Sequence, residues 1–564
     1  LTYDRPGNSE GLPKLSFDKE HYGLKHEVGV TIANNEYNLD PTDEDSWTFG
    51  TLPSNATLWY NLFDENGARQ SDNSAGAIQF TLGTGTATFG FDSAVLKIDV
   101  NGPEHSDTVA TSTTPDVLFF QDNGDQVVVC DSGVCGSSSV SMANQAVTFT
   151  ETGANTGVFT NWDDSLKTNM YINPLSDRGN QATFWWDDVE YSVLNMPYWG
   201  TIEFNTSGTQ VEIGTDIGAE WNSGELVEIV LDDGDMNFDS RSQEQMTVGS
   251  NATIVPAIKI GSPITLATLD TIIFNDDSSD PDPTLDSAIY DNTCSSDYGA
   301  AGTAGSYTSC YEKYSERAVW TMNIGSDITI ADDDTFEFVY NGTTVQDLKD
   351  LISGANGTAA YTYIQYDFRA FNGGSDDPNY YLNFTIGDAD ANTATGSSVI
   401  AQTVQPVYGT GLVGNVLLNS PSFTNQGFGP LTGTDALEVL VQVNVLNSAT
   451  LNTLSAGTSY PITMDFVTYG QSNDGVNASD RHNNAIYRLE VDEVDAAGGI
   501  FVGELDFIML NQLNVNQTST YNITKTDFEE NRIIVHNDLT DEDEIRINYL
   551  DLGADGVETQ VGDQ

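Results

Sequence analysis

The chain is short of positive charge: 19 lysines and arginines stand against 84 aspartates and glutamates in 564 residues, a formal net charge of −65. This balance excludes nucleic acid as a partner, because holding a phosphate backbone needs a basic footprint. It equally excludes adsorption to anionic lipid through a polybasic patch. Histidine is scarce as well. His21, His26, His105, His482 and His536 form no His-Glu-x-x-His pair, and neither a Gly-x-Ser-x-Gly elbow nor a phosphate loop is present. His21 and His26 read as surface residues. No run of eighteen apolar residues occurs, so no segment reads as a transmembrane helix. The four cysteines fall as two close pairs, Cys130 with Cys135 and Cys294 with Cys310. Each pair can close a short loop as a disulfide in an oxidising compartment, and a zinc half-site without nearby histidines is the rival reading of Cys130 and Cys135.

What the chain has in quantity is oxygen donors. Two carboxylates 4 Å apart repel by roughly 1 kcal/mol in water and about 4 kcal/mol at an effective dielectric near 20, so acidic clusters need counterions. Small cations are the natural partners; adaptation to a salty medium is the other account of the charge. With 38% hydrophobic and 10% aromatic residues the chain folds, and its length predicts three or four domains. It begins at Leu1 without Met or a signal region, which reads as a mature chain or a section of a longer one.

Short β-branched or alternating runs dominate, among them AIQFTL, QVVVC, TFEFVY, LEVLVQVNV and RIIVH, separated by Gly, Asn, Asp and Ser clusters. That spacing predicts an all-β protein of tandem sandwich domains. One helix is expected at TVQDLKDLISG, with Thr344 and Asp347 as a reciprocal cap, an apolar face of Val345, Leu348 and Leu351, and a stop at Gly354. Internal repetition organises the rest. VGVTIANNEYNLDPTDEDSWT from Val28 aligns without gaps on VEIVLDDGDMNFDSRSQEQMT from Val227, and VTFTETGANTGVF, ending at Phe159, parallels LEVDEVDAAGGIF, ending at Phe501. A matching strand precedes each copy, LSFD and IEFN, and ATFWWDDVEY and EIRINYLDL close them. The boundaries expected are 1–198 for the first module, 199–255 with 481–564 for the second, and 256–480 as inserted or additional β-rich material.

Chemistry concentrates in the acidic loops. LDDGDMNFD places Asp233, Asp235, Asn237 and Asp239 at alternate positions after an apolar strand. Ca²⁺ collects six to eight oxygens from such donors, although the ordering of glycine and the final glutamate of an EF-hand are missing. A solvated turn is the alternative. The first copy substitutes Glu36, Asn38 and Asp40, and a weaker version stands at Asp388, Asp390 and Asn392. The cofactor expected is therefore a divalent cation, calcium by preference. Sequons at Asn55, Asn205, Asn251, Asn341, Asn356, Asn383, Asn477, Asn516 and Asn522 permit glycosylation, at a frequency that an Asn-, Ser- and Thr-rich chain produces by chance. A glycosidase needs two carboxylates whose pKa values are driven apart, and 84 acids single out no such pair. Trp185, Trp186, Trp199 and Trp221 read as core residues rather than sugar platforms.

Together FTETGANTGVF, DDGDMNFD after its apolar strand, and TFWWDDVEY resemble the repeated immunoglobulin-like modules of S-layer proteins from ammonia-oxidising archaea. The first element is the most specific, matching at Glu151, Thr152, Gly153, Asn155, Thr156, Gly157, Val158 and Phe159; its second copy keeps Gly499 and Phe501 and loses the Asn-Thr-Gly core. The resemblance covers about half of the chain and leaves 256–480 outside it. It implies an extracellular, non-enzymatic protein that tiles the cell surface as a two-dimensional hexagonal lattice, its partner being itself. It further implies acidic pores that concentrate cations, ammonium included, and a longer subunit of which this chain is one section. No catalytic residue is implied. A calcium-stabilised adhesin and a secreted polysaccharide-acting enzyme with sandwich modules are the alternatives.

Overall fold

A computed structural model describes residues 14–50, 146–205, 223–275, 307–321, 328–388, 407–418, 436–445, 453–471, 481–509, 531–535 and 545–552, a few positions within these ranges excepted, and strands at 79–82, 85–88, 119–122, 128–130, 288–290 and 558–563. The protein is all-β, its strands lying in several mainly antiparallel sheets with a single α-helix among the described residues. That helix, Val345–Gly354, starts at the expected cap: the Thr344 amide donates to Asp347 Oδ2 at 2.7 Å and the Asp347 amide to Thr344 Oγ1 at 3.2 Å. Val345 and Leu348 are buried and Leu351 partly so.

The two aligned copies form sheets of one strand order. In the first, Lys14–Phe17, Val30–Ala33, Val158–Thr160, Ala146–Glu151 and Ser46–Gly50 lie side by side. In the second the order is Thr201–Asn205, Val227–Asp232, Ile500–Met509, Val491–Glu493 and Gln245–Met246, with Asn531–Val535 added in parallel to Ile500–Met509. Alternation sets the faces: Val30 and Ile32 point into one core as Ile229 and Leu231 point into the other.

A buried carboxylate pins the same turn in both. Glu151 Oε1 accepts the Gly157 amide at 2.6 Å while its Oε2 accepts the Asp45 amide at 3.3 Å; Glu493 accepts from Gly499 at 2.9 Å and from Glu244 at 3.1 Å. Gly157 and Gly499 take φ of +62° and +64°, and a Cβ on Gly157 would lie 2.1 Å from Asn35 Oδ1. This turn requires glycine and glutamate; the Asn-Thr-Gly core surrounding Gly157 is free to vary, as the second copy shows.

Residues from Leu266 to Phe466 build a separate core, where Trp320 meets Phe336 and Phe371 edge-on at 5.7 and 5.8 Å. The strand Ser459–Gln471 joins it to the second module. Its Tyr460, Ile462, Met464 and Phe466 belong to the inserted core, whereas Val467 and Tyr469 on the opposite face belong to the module core. With its neighbour Ala359–Asp367 it is a middle layer covered on both faces, which explains the near-continuous burial of this strand.

Buried charge on this layer is paired. Arg488 grips Asp465 with both terminal nitrogens, each residue 2% exposed, and its Nε donates to Ser315 O at 2.7 Å. Arg317, fully buried, pairs with Glu312 and donates to the carbonyls of Val248, Ser250 and Thr253 at 2.6 to 2.7 Å. The loop leaving the module is thus fastened to the insertion by one guanidinium.

Among the cysteines, Cys130 ends strand Val128–Cys130 and Cys310 lies in Tyr307–Tyr311, while Cys135 and Cys294 are outside the described residues. Of the sequons, Asn341 is exposed, whereas Asn205 and Asn383 are half-buried with their amides engaged by Glu228 and Gln442. Asn55, Asn251, Asn356, Asn477, Asn516 and Asn522 lie outside the described residues. Trp199 is 57% exposed rather than a core residue, because it sits in the extended link between the two sheets.

Replacing Arg488 by Met strands a buried Asp465 and should cost about 3–5 kcal/mol, read as a lowered denaturant midpoint. The double variant Arg488→Met, Asp465→Leu should recover most of that loss.

Candidate metal centre

The acidic loop turns immediately after strand Val227–Asp232. Asp233 caps the short 3-10 turn Gly234–Met236, its Oδ1 accepting the Asp235 amide at 2.9 Å. Gly234 permits the Tyr198 ring to lie on the backbone, since a Cβ there would come within 2.6 Å of the ring. Asp233 and Asp235 are joined by Asp551, from strand Ile547–Leu552, and the three offer carboxylate oxygens all within 4.8 Å of one another. Asp233 and Asp551 are 0% and 1% exposed. Tyr549 Oη donates to Asp233 Oδ2 at 2.6 Å, the Tyr198 amide to Asp235 Oδ1 at 3.0 Å, and the Gly200 amide to Asp551 Oδ2 at 3.0 Å.

Burial pushes the Asp233 carboxyl up to about 7, against the pull of the Tyr549 hydrogen bond and with added repulsion from Asp551. Burial, then the charge of Asp233, pushes Asp235 up to about 8. Three desolvated carboxylates converging on one point suit a hard cation, whose charge removes the repulsion and whose preference is for oxygen. Asp551 was not signalled by the sequence: it belongs to a strand far along the chain and is one acid among 84.

Asn237 and Asp239 take no part in this cluster. They lie further along the same loop, where the end of the first module docks. Lys19 Nζ donates to Asn237 O at 2.5 Å and to Oδ1 at 3.1 Å, and Lys167 Nζ lies 2.6 Å from Asp239 Oδ2. The Glu27 amide donates to Phe238 O at 2.8 Å, Ser240 Oγ to Asp18 Oδ2 at 2.7 Å, and Arg241 stacks 4.3 Å over Trp162. His26 is buried here, contrary to its reading as a surface residue. Its Nδ1 accepts the Gly23 amide, so Nε2 carries the proton that reaches Asp235 O at 3.0 Å, and burial lowers its pKa well below the usual value. Glu244, behind the loop, is pushed up to about 9 by burial and by its hydrogen bond with Glu493.

In the first copy, Glu36 lies in the matching turn Asn35–Tyr37, Asn38 is half-buried, and Asp40 is exposed with its Oδ1 accepting from Thr42. Asp388 ends strand Tyr380–Asp388, and Asp390 and Asn392 lie outside the described residues. Compared with known proteins, the chain matches no family and no curated protein.

Because Asp233 and Asp235 bind protons more tightly folded than unfolded, the stability they contribute is complete in acid and is lost as pH rises through about 7 and 8. In chelator the melting temperature should therefore fall as pH rises from about 4, the ordinary carboxylate value, to about 8, and level off above that. Ca²⁺ should restore it, most strongly at the alkaline end, and Asp551→Asn should blunt that response. A calcium effect indifferent to both pH and Asp551 would remove the site.

Proposed function

We propose that the chain is a structural subunit of a secreted, acidic surface layer: immunoglobulin-like modules joined end to end, stabilised by a divalent cation and repeating as a two-dimensional lattice around the cell. The observation that carries this reading is the docking of one module on the acidic loop of the next, through contacts that are polar and use lysines as the bridging cations. The net charge of −65 supports it from the other side. Like-charged copies approach only through cations, so lattice contacts are cation-bridged and the gaps between packed subunits collect small cations. The role is mechanical and electrostatic, not catalytic. No helix among the described residues is long and apolar enough to cross a membrane.

Electron microscopy of the purified protein with and without Ca²⁺ tests the proposal. Ordered sheets that form with Ca²⁺ and dissolve in chelator are expected. Thermal stabilisation without sheets, accompanied by binding to a surface glycan or protein, would replace the lattice by an adhesin.

A further inference from the structure

Lysines in so acidic a chain are expected to meet carboxylates, and Lys167 and Lys259 do. Lys19 does not. Among the described residues its Nζ donates to two neutral oxygens of one residue, Asn237 O at 2.5 Å and Asn237 Oδ1 at 3.1 Å, across 218 positions of sequence. Asn237 is 3% exposed and held at both ends: its backbone N–H donates to Gly234 O at 3.3 Å, and its Nδ2 donates to Ala496 O at 3.2 Å. The residues flanking the pair are bonded to each other as well. Beside Lys19, Asp18 Oδ2 accepts from Ser240 Oγ at 2.7 Å, and beside Asn237, Phe238 O accepts the Glu27 amide at 2.8 Å. A primary amine is thus fixed against a carboxamide at the junction between the two modules.

We propose that Lys19 and Asn237 form an isopeptide bond, tying the first module covalently to the second. Nζ attacks Cγ as the neutral amine, the Cγ–Nδ2 bond breaks, and one proton passes from Nζ to the departing nitrogen, which leaves as ammonia. No oxidant, cofactor or second protein is consumed. Cγ lies one carbonyl bond, about 1.2 Å, behind Oδ1, so a small rotation of either side chain brings Nζ to the roughly 3–3.5 Å at which oriented groups react. Burial favours the neutral amine, lowering the Lys19 pKa against the attraction of Asp18, Glu244, Glu493 and Asp239. Of these acids Glu244, pushed up to about 9 by burial and its hydrogen bond with Glu493, keeps a proton near neutral pH and suits the relay. Ala496 O holds the leaving nitrogen. The bond closes a long loop and so removes entropy from the unfolded chain, while Lys167 remains the ionic bridge to Asp239. It depends neither on lattice formation nor on a cation at Asp233.

Tryptic peptide mapping by mass spectrometry tests it, on the full chain after incubation near neutral pH. Trypsin should fail to cut after Lys19, and a branched peptide should join residues 15–25 to residues 179–241, lighter than the two together by one ammonia. Its fraction should grow while the folded chain is incubated and stay at zero in chain kept unfolded in urea. Lys19→Arg keeps the charge and cannot form the bond, so it should yield only unbranched peptides and a lower melting temperature. Wild-type protein that is cut after Lys19 and returns 179–241 unbranched with Asn237 intact, however long it is incubated, would overturn the proposal. A branch that forms equally in urea would do the same, since the bond would then owe nothing to the junction.

Discussion

The structure depends on how it handles carboxylates removed from water when so few cations are available to pair with them. Desolvating an acid without a partner costs several kcal/mol, and 19 basic residues cannot serve 84 acids. Three solutions recur. Glu151 and Glu493 are satisfied by backbone amides and so hold a turn that needs no cation. Glu244 is raised to about 9 by burial and its hydrogen bond with Glu493, and so sheds its charge. Arginine serves the buried acids at the middle layer, where Arg488 and Arg317 each satisfy one acid and several carbonyls at once. Asp233, Asp235 and Asp551 each accept a backbone amide too, yet their carboxylates still converge on one point, which is why an external cation suits the cluster.

The same scarcity shapes the junction between modules. Lys19 and Lys167 reach from the first module into the acidic loop of the second, so two of the few cations cross the boundary and fix how one module meets the next. His26 sits between them uncharged, held by Gly23 on one side and the Asp235 carbonyl on the other. The metal cluster adjoins this junction, and Tyr198 belongs to both, lying on Gly234 and donating its amide to Asp235. Any change in the cluster is therefore felt in the docking of the two modules.

Much of the architecture could be read from local pattern. Alternation in VTIA and VEIVLD encodes a buried face, and the Thr344 to Asp347 spacing encodes a helix start, because both are set by neighbours in sequence. The paired copies could also be aligned, since Glu151 with Gly157 and Glu493 with Gly499 repeat a turn whose geometry tolerates little else. The burial of His26 could not be read, because the residues that cover it, Phe238 and Asp235, come from the other copy.

By itself the sequence determined an all-β chain, its repeat, its single helix among the described residues, and an excess of acid that small cations must balance. These follow from composition and short-range spacing. Only the tertiary structure decided which oxygens of LDDGDMNFD converge. Alternate spacing suggested four donors around one ion, but the 3-10 turn sends Asp233 and Asp235 toward Asp551 and leaves Asn237 and Asp239 to the lysines of the first module. Direction of a side chain depends on backbone dihedrals and on what packs against the loop, and those partners lie far away in the chain, 218 residues for Lys19 and 316 for Tyr549.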